Sequence, residues 1–197
     1  MTRPRTFDEN EVLEGAVEAF RELGYEGTSI PELTSRLGIC RQSLYNAFGD
    51  KRSLFLAAIT RYGEREIDGK LALLEAEGSP LDNTRTVVRG WAALATQCPG
   101  DGCLLVGAIH DTADDPEARA IVEAQVERLE QGFRAALERA RAAGELRPSA
   151  SPTRLARTLV SLGYGVALMS RLEGSGPRIG DAVATMLAFL DAAEAGD

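Results

Sequence analysis

The chain has 197 residues, of which 44% are apolar, 26% charged and only 6% aromatic, and its 22 basic and 30 acidic side chains give a net charge of −8. These fractions lie near the globular average and exclude a disordered or collagen-like chain. The net acidity excludes a protein that coats nucleic acid with its whole surface, yet the charge is uneven. Residues 1–62 are nearly balanced, 63–197 hold 14 basic and 21 acidic residues, and from Arg36 to Arg61 five basic residues stand against one acid, Asp50. A local positive patch on an acidic protein is therefore the expectation.

Along the chain the apolar spacing is helical almost throughout. Leu13, Ala16, Val17, Phe20 and Leu23 repeat as one buried face of a helix over 8–23, with Asp8 and Glu11 as a capping box and Gly24 as its end. Ser29 and Glu32 form a second capping box, Pro31 falls in the first turn, and Ile30, Leu33 and Leu37 make the inner face of a helix over 30–37. Gly38-Ile39-Cys40 is a tight turn into a helix over 41–48, whose inner face is Leu44 and Phe48. Breaks at Pro80, Pro99, Pro116, Pro148, Pro152 and Pro177 then separate helices over 51–76, 81–97, 103–113, 116–143, 152–172 and 178–194. Strand alternation is scarce and no hairpin signal stands out, so the fold class is all-α. Short helices give way to long ones after residue 50, which predicts a head over 1–50 and a body over 51–197.

Met1–Asn10 is polar, and the longest uncharged stretch, Thr158–Ser170, has 13 residues. Neither a signal peptide nor a membrane span is expected, and three unevenly placed cysteines do not make a disulfide framework. The expected location is the cytoplasm, with no membrane partner.

Two short helices joined by a three-residue turn containing glycine are a helix-turn-helix unit. With Leu44 and Phe48 turned inward, Arg41, Gln42, Ser43, Tyr45 and Asn46 are left to project outward. All are hydrogen-bonding side chains able to reach base edges or phosphates, and no acid lies among them. Asp50 caps the next helix, whose first residue, Lys51, is placed to neutralise a phosphate. Duplex DNA is the implied partner; the blander alternative is a helical hairpin with a polar surface.

The run GTSIPELTSRLGICRQSLYNAFGDKRSLF resembles the DNA-binding head of the TetR-type transcriptional regulators, and Gly102-Cys103-Leu104-Leu105-Val106 is similar to a helix opening in one branch of that family. The resemblance implies a three-helix head, a six-helix ligand-sensing body, a homodimer, and repression of an operator relieved by a small-molecule effector. Carried onto this chain it implies DNA contacts at Thr28, Arg41, Gln42, Ser43, Tyr45, Asn46 and Lys51. One residue departs from the pattern: Cys40 stands where the family has Ser or Thr, so the second helix is expected to be weakly capped. The apolar segments with Gly163 and Gly165 and over Ala182–Phe189 resemble the family's dimerisation bundle. Gly163, Gly165, Leu168, Met186 and Phe189 are its expected interface.

Several further residues admit competing readings. Cys103, Gly107 and His110 share one helical stripe. With Trp91 and Tyr62 they suit the wall of an organic-effector pocket. A metal site built from Cys98, Cys103 and His110 is disfavoured, because seven helical residues separate the last two by roughly 10 Å along the axis. No cofactor is expected. Cys40, at a helix start beside Arg41, offers a redox alternative. An enzyme would have to recruit His110 with Asp111 and a Ser or Cys nucleophile, but no nucleophile elbow or phosphate-binding loop accompanies them.

Overall fold

The computed structural model describes residues 7–97, 102–111 and 114–195, and among these it is all-α. The helices are α1 (Glu9–Gly27), α2 (Ile30–Leu37), α3 (Arg41–Phe48), α4 (Lys51–Leu74), α5 (Pro80–Gln97), α6 (Leu104–Asp111), α7 (Pro116–Ala142), α8 (Pro152–Met169) and α9 (Gly176–Ala193). Their ends follow the local chemistry. The Asp8 carboxylate accepts from the Asn10 N–H, and Gly24, at φ 73°, breaks the helical path of α1 before one last turn. The Ser29 hydroxyl accepts from the Glu32 N–H, and Gly38 takes the left-handed conformation at φ 65° that closes α2.

The chain forms two compact units. One contains the described residues of Met1–Glu64 and Cys103–Val122, the other those of Arg65–Gly102 and Glu123–Asp197. The unit that carries α1–α3 thus continues into α4 as far as Glu64 and takes in α6. Its core holds Phe20, Leu33, Leu44, Leu54, Phe55 and Ile59, all fully buried. Each large apolar side chain so buried contributes about 1.5–3 kcal/mol relative to exposure. Phe20 meets Phe55 edge-on at 5.0 Å, and Tyr25 lies 4.8 Å from the same ring. Helix α6 packs on α1 and buries Leu104, Leu105 and Ala108.

In the second unit α5 packs on α8 and α9 around Leu74, Leu81, Trp91, Phe133, Leu137, Met186 and Leu190. The Arg147 N–H donates to the Ala193 carbonyl and the Ala195 N–H to that of Glu145, so the end of α9 is stitched to the turn after α7. Arg85, only 10% exposed, adds ion pairs to Asp82, Asp191 and Glu194. Among the described residues no helix is long and apolar enough to cross a membrane.

Two expected interface residues belong instead to this core. Met186 is fully buried within its own chain. A Cβ on Gly163 would lie 2.5 Å from Cζ2 of Trp91, so the missing side chain makes room for an indole of the same chain. Gly165, by contrast, has nothing within 4 Å, and Leu168 and Phe189 are 54% and 43% exposed.

Candidate nucleic-acid interface

Helix α3 shows how its sequence sorts its faces. Leu44 is fully buried, Phe48 is half-buried, and Arg41, Gln42 and Asn46 are exposed, with Ser43 and Tyr45 partly so. The exposed side chains pair one turn apart. The Gln42 Nε2 donates to Asn46 Oδ1 at 2.9 Å, and Arg41 Nη2 donates to the Tyr45 hydroxyl at 3.2 Å while its guanidinium lies 5.3 Å from the ring centre.

The start of the helix is uncapped by its N-cap side chain, as the sequence suggested. The Cys40 side chain makes no capping hydrogen bond. Its exposed sulfur lies 3.3 Å from the Ser43 hydroxyl, and that hydrogen bond, with help from nearby backbone N–H groups, holds the thiol below its ordinary pKa.

Of the five basic residues between Arg36 and Arg61, three are neutralised by carboxylates. Arg36 is held by Glu22 and Glu32, and Arg61 pairs with Glu14 at 2.7 Å. Arg52 is gripped by both oxygens of Asp115, at 2.6 and 2.9 Å, and by Glu117 at 2.8 Å. Arg41 and Lys51 instead face aromatic rings, Lys51 Nζ lying 4.2 Å from the centre of Tyr25. A cation–π contact leaves the ammonium charge uncancelled, so the local positive charge concentrates at the two ends of α3.

Thr28 corrects the expected contact set. It is completely buried, and its hydroxyl donates to the Gly24 carbonyl at 2.6 Å, satisfying the end of α1 rather than facing solvent. The expected pocket residues are dispersed in their environments. Tyr62 is 5% exposed in the first unit; Trp91, also 5% exposed, is occupied in the second by Phe133, 5.8 Å away, and by the backbone of Gly163. Cys103 and Gly107 are half-buried on α6, and His110 is exposed. Cys98 lies outside the described residues, and among those described no three His, Cys, Asp or Glu side chains are grouped to hold a metal.

Asp111, considered above only as a catalytic partner for His110, has a different task. Its carboxylate accepts from the Tyr25 N–H at 2.7 Å, across 86 residues of sequence, and lies against the left-handed Gly24. The last residue of α6 thereby anchors the ring on which Lys51 rests. Asp115, which also accepts from the Glu117 and Ala118 N–H groups at the start of α7, anchors Arg52. Sequence reasoning missed Asp111, Asp115 and Tyr25, since no local pattern links residues so far apart along the chain.

Comparison with known proteins agrees with this geometry. Residues 12–58 match the family described as bacterial regulatory proteins, tetR family, and residues 80–186 match the tetracyclin repressor-like C-terminal domain. The chain is 37% identical over 194 residues to the uncharacterized HTH-type transcriptional regulator YezE of Bacillus subtilis, covering 97% of this chain and all of that one. It is 29% identical over 181 residues to the HTH-type transcriptional repressor ComR of Escherichia coli, covering 88% and 83% of the two chains. A solved structure of the TetR family regulator CifR, a cysteine mutant complexed with a 26-bp double-strand operator DNA, superimposes with a TM-score of 0.80 at 26% identity, over 98% of this chain and all of that one. With a helix-turn-helix head whose exposed helix carries no acid and a match that runs nearly end to end, the chain belongs to the TetR family of DNA-binding transcriptional regulators, which are not enzymes.

Proposed function

We propose that this regulator binds a pseudo-palindromic operator as a homodimer, acts as a repressor, and is released by a small organic effector. The observation that carries the DNA half is the outward face of α3: Arg41, Gln42, Ser43, Tyr45 and Asn46 offer donors and acceptors, and Lys51 at the next helix start brings positive charge for a phosphate. Such a helix enters the major groove, and a two-fold dimer presents two of them to half-sites one helical turn apart. The dimer reading rests on the outer faces of α8 and α9, where Leu162, Gly165, Leu168 and Phe189 are exposed and a four-helix bundle with a second copy would cover them. Effector control is supported by the seating of α6, a helix with a half-buried Cys103–Gly107 stripe whose last residue, Asp111, holds Tyr25 beneath Lys51.

Selection of bound sequences from a random duplex library at moderate salt tests the reading. One enriched inverted repeat is expected, bound with steep salt dependence. Lys51→Ala should weaken all sequences alike and lower the salt slope by about 1 per protomer, whereas Arg41→Ala should change preference among operator variants. Equal losses on specific and random DNA in both variants would refute the assignment of roles.

A further inference from the structure

Resting on the DNA-binding reading above, we infer that the linked amides of Gln42 and Asn46 recognise one A·T base pair in each operator half-site, taking the Hoogsteen edge of adenine. The two residues sit one turn apart on the exposed face of α3, and the Gln42 Nε2 donates to Asn46 Oδ1 at 2.9 Å. A primary amide has one carbonyl oxygen and two N–H donors. Their mutual bond consumes one donor of Gln42 and one lone pair of Asn46. What remains whole for a partner is the Gln42 carbonyl as an acceptor and the Asn46 amino group as a donor, beside the second N–H of Gln42 and the second lone pair of Asn46. Turning both amides over reverses the bond but leaves the same inventory, a bare carbonyl on one residue and a bare amino group on the other. The pair therefore acts as a single donor–acceptor reader.

The base pairs differ in whether they match it. Across the major groove A·T presents acceptor N7, donor N6 and acceptor O4, so a donor stands between two acceptors. G·C presents the acceptors N7 and O6 together, with the cytosine amino donor at the far edge. On adenine the bare carbonyl takes the N6–H and the amino group donates to N7. On guanine the same carbonyl meets O6, another acceptor. The surroundings favour this use. Arg41 is engaged with Tyr45 on the adjoining column of the helix, no carboxylate shares the exposed face of α3, and the mutual bond biases both side chains toward one arrangement before DNA arrives.

The test uses the full-length protein. Half-sites enriched from a random duplex library are sequenced, and affinity is then measured on the selected operator and on single-base-pair replacements of it. One A·T position should appear in each half-site, and its replacement by G·C should weaken binding about tenfold, the equivalent of 1.4 kcal/mol and within the range of a good bidentate contact. Gln42→Ala and Asn46→Ala should each erase the preference at that position, and the double variant should lose no more than either alone, with helical content unchanged. Asn46→Asp, which keeps a bond from Gln42 but replaces the bare donor by an acceptor, should move the preference toward cytosine. If both alanine variants keep every A·T preference, or lose preference additively at two separate positions, the inference is overturned while the operator-binding reading stands. If no sequence is enriched at all, both fall.

Discussion

Replacing Gly163 by alanine separates a glycine that serves its own chain from one that faces outward. The new Cβ would stand 2.5, 2.7 and 2.8 Å from Cζ2, Cη2 and Cε2 of Trp91. To restore ordinary contact the indole must retreat by about 1 Å, yet it is only 5% exposed and packed 5.8 Å from the Phe133 ring. Alanine in mid-helix gains about 1 kcal/mol over glycine, while overpacking a filled site costs about 1–3 kcal/mol. Gly165→Ala gains the same propensity and meets nothing of its own chain within 4 Å. Subtracting one variant from the other cancels the propensity and leaves the overpacking cost. For a chain of this size that is a gap of about 2–12 °C in melting temperature, with Gly163→Ala the lower, at one fixed protein concentration. Trp91 is the sole tryptophan, so its emission reports the clash directly. Emission should shift in Gly163→Ala and stay put in Gly165→Ala. A Gly163→Ala protein with unmoved emission and a melting temperature at or above that of Gly165→Ala would refute the packing argument.

The Arg52 guanidinium, followed by the Ala118 N–H, holds the Asp115 carboxyl at a pKa of about 2, below its ordinary 3.8. A carboxyl lowered on folding stabilises fully above about pH 4 and loses that contribution as pH falls towards 2. The stability gap between the natural protein and Asp115→Asn in urea should therefore be flat from neutral pH to about 4 and close below it; a gap that persists undiminished at pH 2 would count against the ion pair. Cys40→Ser should supply the missing N-cap of α3 and raise the melting temperature by a few degrees. Ser43→Ala should slow alkylation of the Cys40 thiol at neutral pH by returning its pKa upward, and an unchanged rate would show that Ser43 does not tune it. Leu168→Glu and Phe189→Glu should yield monomers by light scattering, whereas Met186→Leu, a volume-conserving change in the core, should leave the assembly intact; dimers in both glutamate variants would move the interface elsewhere.

The sequence by itself determined the elements and the reading helix, because those depend on neighbours a few residues apart. Ser29, Pro31 and Gly38 bound α2 where the chemistry of caps requires, and the four-residue spacing of Leu44 and Phe48 leaves Arg41, Gln42 and Asn46 outward whatever α3 packs against. Tertiary structure decided what each surface residue is for. Five basic residues between Arg36 and Arg61 look alike in the sequence, but acids 14, 47 and 63 residues distant neutralise Arg36, Arg61 and Arg52 and leave Arg41 and Lys51 on tyrosine rings. Thr28 matches a family contact position by spacing, and only the packing shows its hydroxyl turned inward to Gly24. The apolar helices α8 and α9 posed the same problem for burial. Periodicity reveals that a face must be covered but not whether the cover is the same chain or a second copy. Gly163 and Met186 met Trp91 and the core of their own unit, while Gly165, Leu168 and Phe189 remained on the outside.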